Sequence, residues 1–376
     1  MIKGYGLGRT KVRSTVPVNT TPTSYWLLGN RGFSLKTIPL HRTTIIRPFT
    51  AFLSEVGAPV HRILQQVKLP TLALDDPDYY ISSLAFWMFV EKMIAKEGIE
   101  NLGYLVGRQA GANAVAPGYS KVLARSPSLY HALTETCRAV ATGISRSIMT
   151  VSILDSSTTC FCHKTSFGIK HPNHHQMEWF AIMAMMDIIR EFTGSNWFPK
   201  KIGLMSYHAP AFVVREYMPD CQFLNGQACG YVCIDTPLLG LPPISKSKRK
   251  SNNRIVTSEA HVLTSSFGDP AVDFVDSLKQ VLPAYLREGT PPIALAAEIA
   301  NTSVRSLQRE LSKDKLTYLD LLAQIRFEMA SRLLKDENTQ IQEISYKLGY
   351  NDASHFARAF RRIAGISPSE YRRSNA

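Results

Sequence analysis

The amino-acid sequence predicts an α+β N-terminal domain followed by an all-α C-terminal domain, in which a long helix joins two helix-turn-helix units. The chain has 376 residues, more than a single hydrophobic core usually organises. Helical and strand patterns both occur between residues 45 and 243, whereas only helical patterns follow residue 267. With the polar, basic stretch between them, these patterns predict a flexible extension at 1–44, a first domain at 45–243, a linker at 244–266 and a second domain at 267–376.

Composition restricts the class of protein. The formal net charge is +13, which favours a polyanionic partner, either a nucleic acid or an anionic membrane surface. Six cysteines are too few for a disulfide scaffold in a chain of this length, and no signal-peptide pattern follows the basic start. The most apolar stretch, 179–189, is far shorter than the roughly 20 residues that span a bilayer. We therefore expect a cytoplasmic protein without a membrane partner.

Residues 1–44 are rich in glycine, threonine, serine and basic residues, and they have no steady helical or strand period. This composition predicts an unstructured tail. Two other interpretations stay open. The segment could be a basic arm on a nucleic acid, or it could come from translation that starts upstream of the true start.

The first domain combines helices with strands. Apolar residues spaced three and four apart predict four helices, at 48–56, 59–67, 79–97 and 101–109. Runs rich in β-branched and aromatic residues predict strands at 147–153 and 158–167, with shorter ones at 201–207 and 227–234. A strongly apolar helix is predicted between them, at 176–192.

The break after this domain begins at Pro242-Pro243. The stretch 244–254 is polar and basic and has no hydrophobic period, as is typical of a hinge. A solvated linker and a phosphate-contacting segment are equally compatible with its charges. Beyond it, an amphipathic helix is predicted at 271–288.

The segment 293–311 predicts a helix, a turn and a second helix. Leu295 and Ile299 would be buried in the first helix, and 301–303 supply turn and N-cap chemistry. The second helix would bury Val304, Leu307 and Leu311. Its polar side chains would point outward, where arginine can pair with guanine and glutamine with adenine in a DNA major groove. These candidate DNA-binding residues are Ser303, Arg305, Ser306, Gln308 and Arg309.

The same pattern recurs at 341–363. Gly349 can end the first helix in the left-handed conformation, and Asp352 is placed to cap a second recognition helix at 353–363. That helix would turn Phe356, Phe360 and Ile363 inward. Its outward side chains complete the candidate DNA-binding set: Ser354, His355, Arg358, Arg361 and Arg362.

An amphipathic helix at 317–334 separates the two units. Eighteen residues rise by roughly 27 Å, which is of the order of one DNA turn, about 34 Å. A rigid spacer of this size could place two recognition helices in successive major grooves on one face of the duplex.

These motifs resemble the AraC/XylS family of transcription regulators. The likeness covers about 267–376 and rests on 343–362, 365–372, the Arg305–Arg309 helix and the helix containing Arg326, Ala330, Leu333 and Leu334. The resemblance implies that Arg305, Gln308, Arg309, Ser354, His355 and Arg358 face DNA. Alanine at 353, 357 and 359 departs from the pattern, so the second helix would make fewer base contacts and more phosphate contacts.

Residues 45–243 resemble more weakly the arabinose-binding type of N-terminal domain found in a subset of these regulators. The features are Asn101-Leu-Gly103 with Gly107, and the stretches 194–199 and 238–242. In such relatives the domain senses a small molecule or mediates dimerisation. The implied partners are therefore double-stranded DNA, RNA polymerase, a small-molecule effector and a second copy of the chain.

Neither a metal site nor enzyme chemistry is predicted. Cysteine and histidine cluster at Cys160, Cys162, His163, His171, His174 and His175. Their spacing matches no common zinc site, and strand alternation would place Cys162 and His163 on opposite faces. No nucleophile elbow, phosphate loop or carboxylate pair occurs, so we expect no catalytic residues and no cofactor.

The predicted function is that of a sequence-specific DNA-binding transcription regulator, an effector-responsive activator. The alternative is a protein-interaction sensor whose DNA binding is weak or vestigial. The sequence does not identify the effector or its binding residues.

Overall fold

The computed structural model describes residues 37–72, 74, 76, 79–114, 119–165, 171–244, 271 and 273–374. Most of the predicted extension and nearly all of the predicted linker lie outside these ranges. Residues 37–44 are folded, so the boundary predicted at residue 44 is placed too late.

The N-terminal region begins with a two-stranded antiparallel ribbon. Strand β1 (Leu40–Arg42) pairs with β2 (Tyr80–Ser82), with Leu40 opposite Ser82 and Arg42 opposite Tyr80. The helix predicted at 79–97 is therefore wrong at its start. Pairing with β1 holds 80–82 extended, and the helix begins only at Ser83.

Eight helices occur in the described part of the N-terminal domain. They are α1 (Arg47–Glu55), α2 (Val60–Gln66), α3 (Ser83–Glu97), α4 (Leu102–Ala110), α5 (Tyr119–Leu123), α6 (Leu129–Gly143), α7 (His174–Thr193) and α8 (Phe212–Tyr217). The predictions placed α1, α2, α4 and α7 within two residues at each end and omitted α5, α6 and α8.

A five-stranded mixed sheet packs against these helices. Its strands are β3 (Ser147–Ile153), β4 (Thr158–Thr165), β5 (Lys201–Gly203), β6 (Gln222–Leu224) and β7 (Gly230–Asp235). The spatial order is β3-β4-β7-β5-β6, antiparallel except for the parallel pair of β5 with β6. The strand predicted at 201–207 ends early, at Gly203, and β6 was not predicted.

Glycine allows α4 to lie directly against α7. A Cβ atom at Gly103 would be 1.8 Å from the carbonyl oxygen of Gln176, and one at Gly107 would be 2.9 Å from Cβ of Met183. The backbone N–H of Gly103 donates a buried hydrogen bond of 2.9 Å to Oε1 of Gln176. The two glycines that carried the weak resemblance thus have a packing role.

The C-terminal domain is built entirely of helices in its described part. They are α9 (Phe274–Leu286), α10 (Ile293–Ile299), α11 (Val304–Lys313), α12 (Tyr318–Leu333), α13 (Ile341–Lys347), α14 (Ala353–Ala364) and α15 (Pro368–Ser374). One hydrophobic core runs through them, with Leu278, Leu307, Leu321, Ile344 and Leu348 among its most buried side chains.

The ribbon joins this core to the N-terminal domain. Leu40 and Tyr80 are fully buried in the C-terminal core, whereas Ile81 belongs to the N-terminal core. Oγ of Ser82 donates to the carbonyl oxygen of Ile299, at the end of α10, over 3.2 Å. At the rim, Lys68 forms an ion pair with Glu298.

A second set of contacts joins the loop after α2 to the end of α9. Oε1 of Glu288 accepts from the backbone N–H groups of Thr71 and Leu72, at 2.6 and 3.3 Å. Nη1 of Arg287 donates to the carbonyl oxygen of Leu72 over 2.9 Å. The two domains therefore share polar contacts as well as a buried ribbon.

Gly349 lies where α13 approaches the end of α9. Its φ is +75°, and a Cβ atom would lie 2.1 Å from the carbonyl oxygen of Leu286. We expect Gly349→Ala to lower the free energy of unfolding of the C-terminal domain by more than the roughly 1–3 kcal/mol that left-handed backbone alone costs.

Gly365 provides a matched control. It has a φ of +77°, but a Cβ atom there would meet nothing within 4 Å. Chemical denaturation of both alanine variants should therefore give a clearly larger loss at 349. Equal losses would show that the contact with Leu286 is unimportant.

Candidate nucleic-acid interface

The first helix-turn-helix unit consists of α10, a tight turn and α11. Asn301 adopts the left-handed conformation, with a φ of +51°, and reverses the chain. Oγ of Ser303 accepts a 3.1 Å hydrogen bond from the N–H of Ser306, capping α11. Leu307 and Leu311 are buried, and this fixes the face that α11 turns to solvent.

The second unit consists of α13, a turn through Gly349 and α14. Oδ1 of Asp352 accepts a 2.8 Å hydrogen bond from the N–H of His355 and caps α14, as predicted. This hydrogen bond lowers the pKa of Asp352, so the cap stays ionised at neutral pH. Phe356 and Phe360 are buried in the core.

Ile363 was predicted to point inward and does not. Its side chain is 44% exposed, and Leu319 on α12 is 72% exposed. Both line a groove beside Phe327 and Phe360. Ile363 lies on the same face of α14 as Phe356 and Phe360 but next to the end of the helix, where it is only partly covered.

The structure turns the predicted DNA-facing residues outward. Nine of the ten are exposed, and the tenth, Ser306, is half-buried. The exposed residues are Ser303, Arg305, Gln308, Arg309, Ser354, His355, Arg358, Arg361 and Arg362.

The five arginines of this set have positive charges that are not paired within the described part of the protein. Within the described ranges, none of their guanidinium groups forms a hydrogen bond or an ion pair. On α14, Nε2 of His355 lies 3.8 Å from Oδ2 of Asp352. An anionic partner would therefore not have to displace an internal partner of these guanidinium groups.

Two of the predicted serines, Ser303 and Ser306, form hydrogen bonds within the protein. The hydroxyl group of Ser303 caps α11 and also donates to Oγ of Ser306 over 3.0 Å. Their hydroxyl groups are therefore less available to a ligand than the arginine side chains.

Helix α12 separates the two units and begins with a capping box. Oγ1 of Thr317 accepts from the N–H of Asp320, whose carboxylate accepts in return from the N–H of Thr317. The helix has 16 residues and therefore rises by about 24 Å. Buried Leu321, Leu322 and Ile325 fix it in the core.

Two further arginines hold the units to this spacer. Nε of Arg326 donates to the carbonyl oxygen of Leu348 over 3.2 Å, and its Nη2 donates to Oγ1 of Thr290 over 2.6 Å. Arg372, on α15, donates to the carbonyl oxygens of Leu334 and Thr339. Both arginines lie in stretches that carry the family resemblance, which assigned them no role. In the structure each donates to backbone carbonyl groups, and Arg326 donates also to the hydroxyl group of Thr290.

The cysteine and histidine cluster of the N-terminal domain is dispersed. Sγ of Cys160 lies 3.5 Å from Sγ of Cys233 on the neighbouring strand, and Nε2 of His163 lies 2.8 Å from Oγ of Ser147. The ring of His175 stacks on that of His208. Among the described residues, no three cysteine, histidine or acidic side chains are arranged to hold a metal ion.

The length and the hydrophobicity of the helices bear on contact with a membrane. In the part of the chain that the structure describes, none is both long enough and apolar enough to cross a membrane.

Comparison with known proteins agrees with this geometry. Residues 296–374 match the family described as helix-turn-helix domain, and residues 57–242 match the arabinose-binding domain of AraC transcription regulator. The chain belongs to the AraC/XylS family of transcription regulators. The two matched regions coincide with the C-terminal helices and the N-terminal α+β domain.

Individual relatives are similar over shorter stretches. The ornithine utilization regulator of Pseudomonas aeruginosa is 42% identical over 82 residues, 22% of this chain and 24% of that protein. The transcriptional activator AggR of Escherichia coli is 28% identical over 120 residues, 32% of this chain and 43% of that protein. The chain thus spans less than half the length of these curated relatives.

Among solved structures, the transcriptional regulator CdpR of Pseudomonas aeruginosa is similar over 88% of this chain and 98% of that one. The TM-score is 0.36 and the sequence identity is 20%.

The position of Arg326 leads to a prediction about stability. Arg326→Met would leave the carbonyl group of Leu348 without its charged donor, so we expect the free energy of unfolding to fall by about 1.5–3 kcal/mol. Chemical denaturation tests this, with Gln324→Met, at an exposed position of the same helix, as the control. A loss no larger than that of the control would contradict the proposed link between α12 and α13.

Proposed function

We propose that this protein binds a bipartite DNA site by placing α11 and α14 in successive major grooves. The observation that carries the proposal is the outward display of Arg305, Gln308 and Arg309 on α11 and of Arg358, Arg361 and Arg362 on α14. The length of α12 supports it, since about 24 Å plus the width of the flanking helices is compatible with one duplex turn of about 34 Å.

The two helices are suited to different contacts. Arg305 and Gln308 lie in the first turns of α11, the part of a recognition helix that reaches base edges. On α14, Arg358 stands between two alanines in the middle of the helix, and Arg361 and Arg362 lie towards its C-terminal end. We therefore assign base reading mainly to α11 and phosphate binding mainly to Arg361 and Arg362.

The N-terminal domain would regulate this binding. We propose that it responds to a small-molecule effector and pairs with a second copy of the chain, and that the bound protein recruits RNA polymerase to a promoter in the cytoplasm. The matched arabinose-binding domain supports an effector, and the name of AggR supports activation.

Selection of bound genomic fragments, followed by footprinting of the purified protein, tests the proposal. Two protected segments with centres about 10 base pairs apart are expected for a single chain. A protein that protects no defined site would instead be an interaction sensor with vestigial DNA binding.

Alanine substitutions at Arg305 and Gln308 test base reading. Each should cost about 1–3 kcal/mol on the selected site and relax specificity at one base position. Binding assays against a panel of single-base variants measure this, with Arg62→Ala, at an exposed position of α2, as the control. Equal losses on specific and random DNA would remove these residues from base recognition.

Alanine substitutions at Arg361 and Arg362 test phosphate binding. Each should weaken binding to every sequence alike and reduce the slope of log K against log salt concentration by about one. Titrations at several salt concentrations measure the slope. An unchanged slope would show that the guanidinium group does not contact the DNA backbone.

A further inference from the structure

A cavity of about 280 Å³ lies inside the N-terminal domain. Its walls come from β1, α1, α3, α6, β3, β4, α7 and short connecting segments. Most of the lining side chains are apolar, including Trp87, Val140, Met149, Phe180 and Ile188. The sequence itself identifies no ligand-binding residue in this domain.

The cavity contains a guanidinium group without an internal partner. Nε and Nη2 of Arg42 are buried, and neither forms a hydrogen bond with any described residue. No aspartate or glutamate is among the described residues that line the cavity, while Arg47 lies at its exposed side. A buried charge without a partner is energetically costly, and a bound anion would supply the missing hydrogen-bond acceptors of Arg42.

Two histidines of the wall are neutral and already paired with serine hydroxyl groups. Nδ1 of His41 lies 2.6 Å from Oγ of Ser83, and Nε2 of His163 lies 2.8 Å from Oγ of Ser147. Burial lowers the pKa of His41 to about 3 and that of His163 to about 4, each with a smaller contribution from a neighbouring histidine. These imidazoles therefore do not compete with Arg42 for an anion at neutral pH.

The volume limits the size of the occupant. A cavity of about 150 Å³ holds benzene, so about 280 Å³ scales to roughly 11 non-hydrogen atoms. The walls offer an apolar body most of its contacts, and Arg42 offers one carboxylate a charged donor. A polyol such as a pentose would instead bring hydroxyl groups against apolar side chains.

The cavity is also connected to the DNA-binding helices. Arg42 and His41 belong to β1, and Leu40 on the same strand is buried in the C-terminal core. The paired strand β2 carries Ser82, which donates to Ile299 at the end of α10, four residues before the N-cap of α11. The ribbon thus contacts the ligand site and the first helix-turn-helix unit.

We propose that this cavity binds a small hydrophobic monocarboxylate through Arg42 and that the ribbon couples its binding to α10 and α11. This specifies the effector that the proposed function invokes, and the coupling rests on that function. Ligand binding does not, because it can be measured without DNA.

The binding test uses the full chain with octanoate and cinnamate as probes, and octanamide and L-arabinose as comparisons. Calorimetry and thermal unfolding should show that the carboxylates bind more tightly than octanamide and raise the melting temperature. Failure of both carboxylates to bind at millimolar concentration, or tighter binding of arabinose, would overturn the proposal.

The role of Arg42 is tested by Arg42→Gln. Affinity for octanoate should fall at least about tenfold, while affinity for octanamide stays unchanged. Arg215→Gln, at an exposed position of α8 outside the cavity, should change neither. An octanoate affinity that survives in Arg42→Gln would exclude the assigned ion pair.

A second variant keeps the test valid if Arg42→Gln does not fold. Ala181 lines the cavity from α7, so Ala181→Leu should occupy part of the space. It should weaken octanoate and octanamide alike by at least about tenfold without lowering the melting temperature. Unchanged affinity for both would place the ligand elsewhere.

Coupling is measured by hydrogen exchange with and without octanoate, and by binding to a selected DNA fragment. Octanoate should slow exchange in β1, β2 and α10, and change DNA affinity by at least about fivefold in the wild type but not in Arg42→Gln. Ligand binding with unchanged exchange in α10 would overturn the coupling. If no DNA site is found, but exchange changes as expected, the proposed function fails and the ligand assignment stands.

Discussion

The burial of the β1–β2 ribbon between two hydrophobic cores is the constraint on which the arrangement of this molecule depends. Leu40 and Tyr80 are buried in the core that the C-terminal helices form, and Ile81 is buried in the core that the N-terminal helices form. Fully burying each such side chain is worth about 1.5–3 kcal/mol. Neither domain could move far from the other without exposing this ribbon.

This arrangement bears on how the N-terminal domain would regulate DNA binding if the proposed function holds. The sequence suggested a hinge after residue 243 as the element that presents the DNA-binding domain. The described contacts lie elsewhere, at the ribbon, at Glu288 and at the end of α10. Small displacements at a packed surface, rather than a change in tether, would then alter the first helix-turn-helix unit.

The extent to which the sequence predicted the structure follows from the range of the interactions involved. Helices α11 and α14 were placed correctly because their caps, Ser303 and Asp352, and their buried residues lie within a few positions of one another. Strands β1 and β2 were missed because three-residue strands gain their conformation from a partner about forty residues away. Helix α6 was also missed, although Ser128 as its N-cap and the spacing of Leu129, Leu133 and Val140 were local signals.

The candidate sites differ in the same way. The outward residues of α11 and α14 follow from helical periodicity. The prediction that Ile363 points inward is wrong because periodicity does not tell how far a neighbouring helix extends. The cavity around Arg42 could not be predicted at all. Its walls come from seven helices and strands spread over about 150 residues, and only their packing shows that the Arg42 side chain lies without an internal anion.

The spacer α12 also sets a rotational phase between the two reading helices. Each residue of an α-helix turns the chain by about 100°, so one inserted residue would swing the second unit about a quarter turn around the axis while lengthening the spacer by only about 1.5 Å. Insertions or deletions of whole turns would come closest to keeping both surfaces directed at one duplex. The 16-residue length of α12 therefore determines the relative rotation of the two units as well as the distance between them.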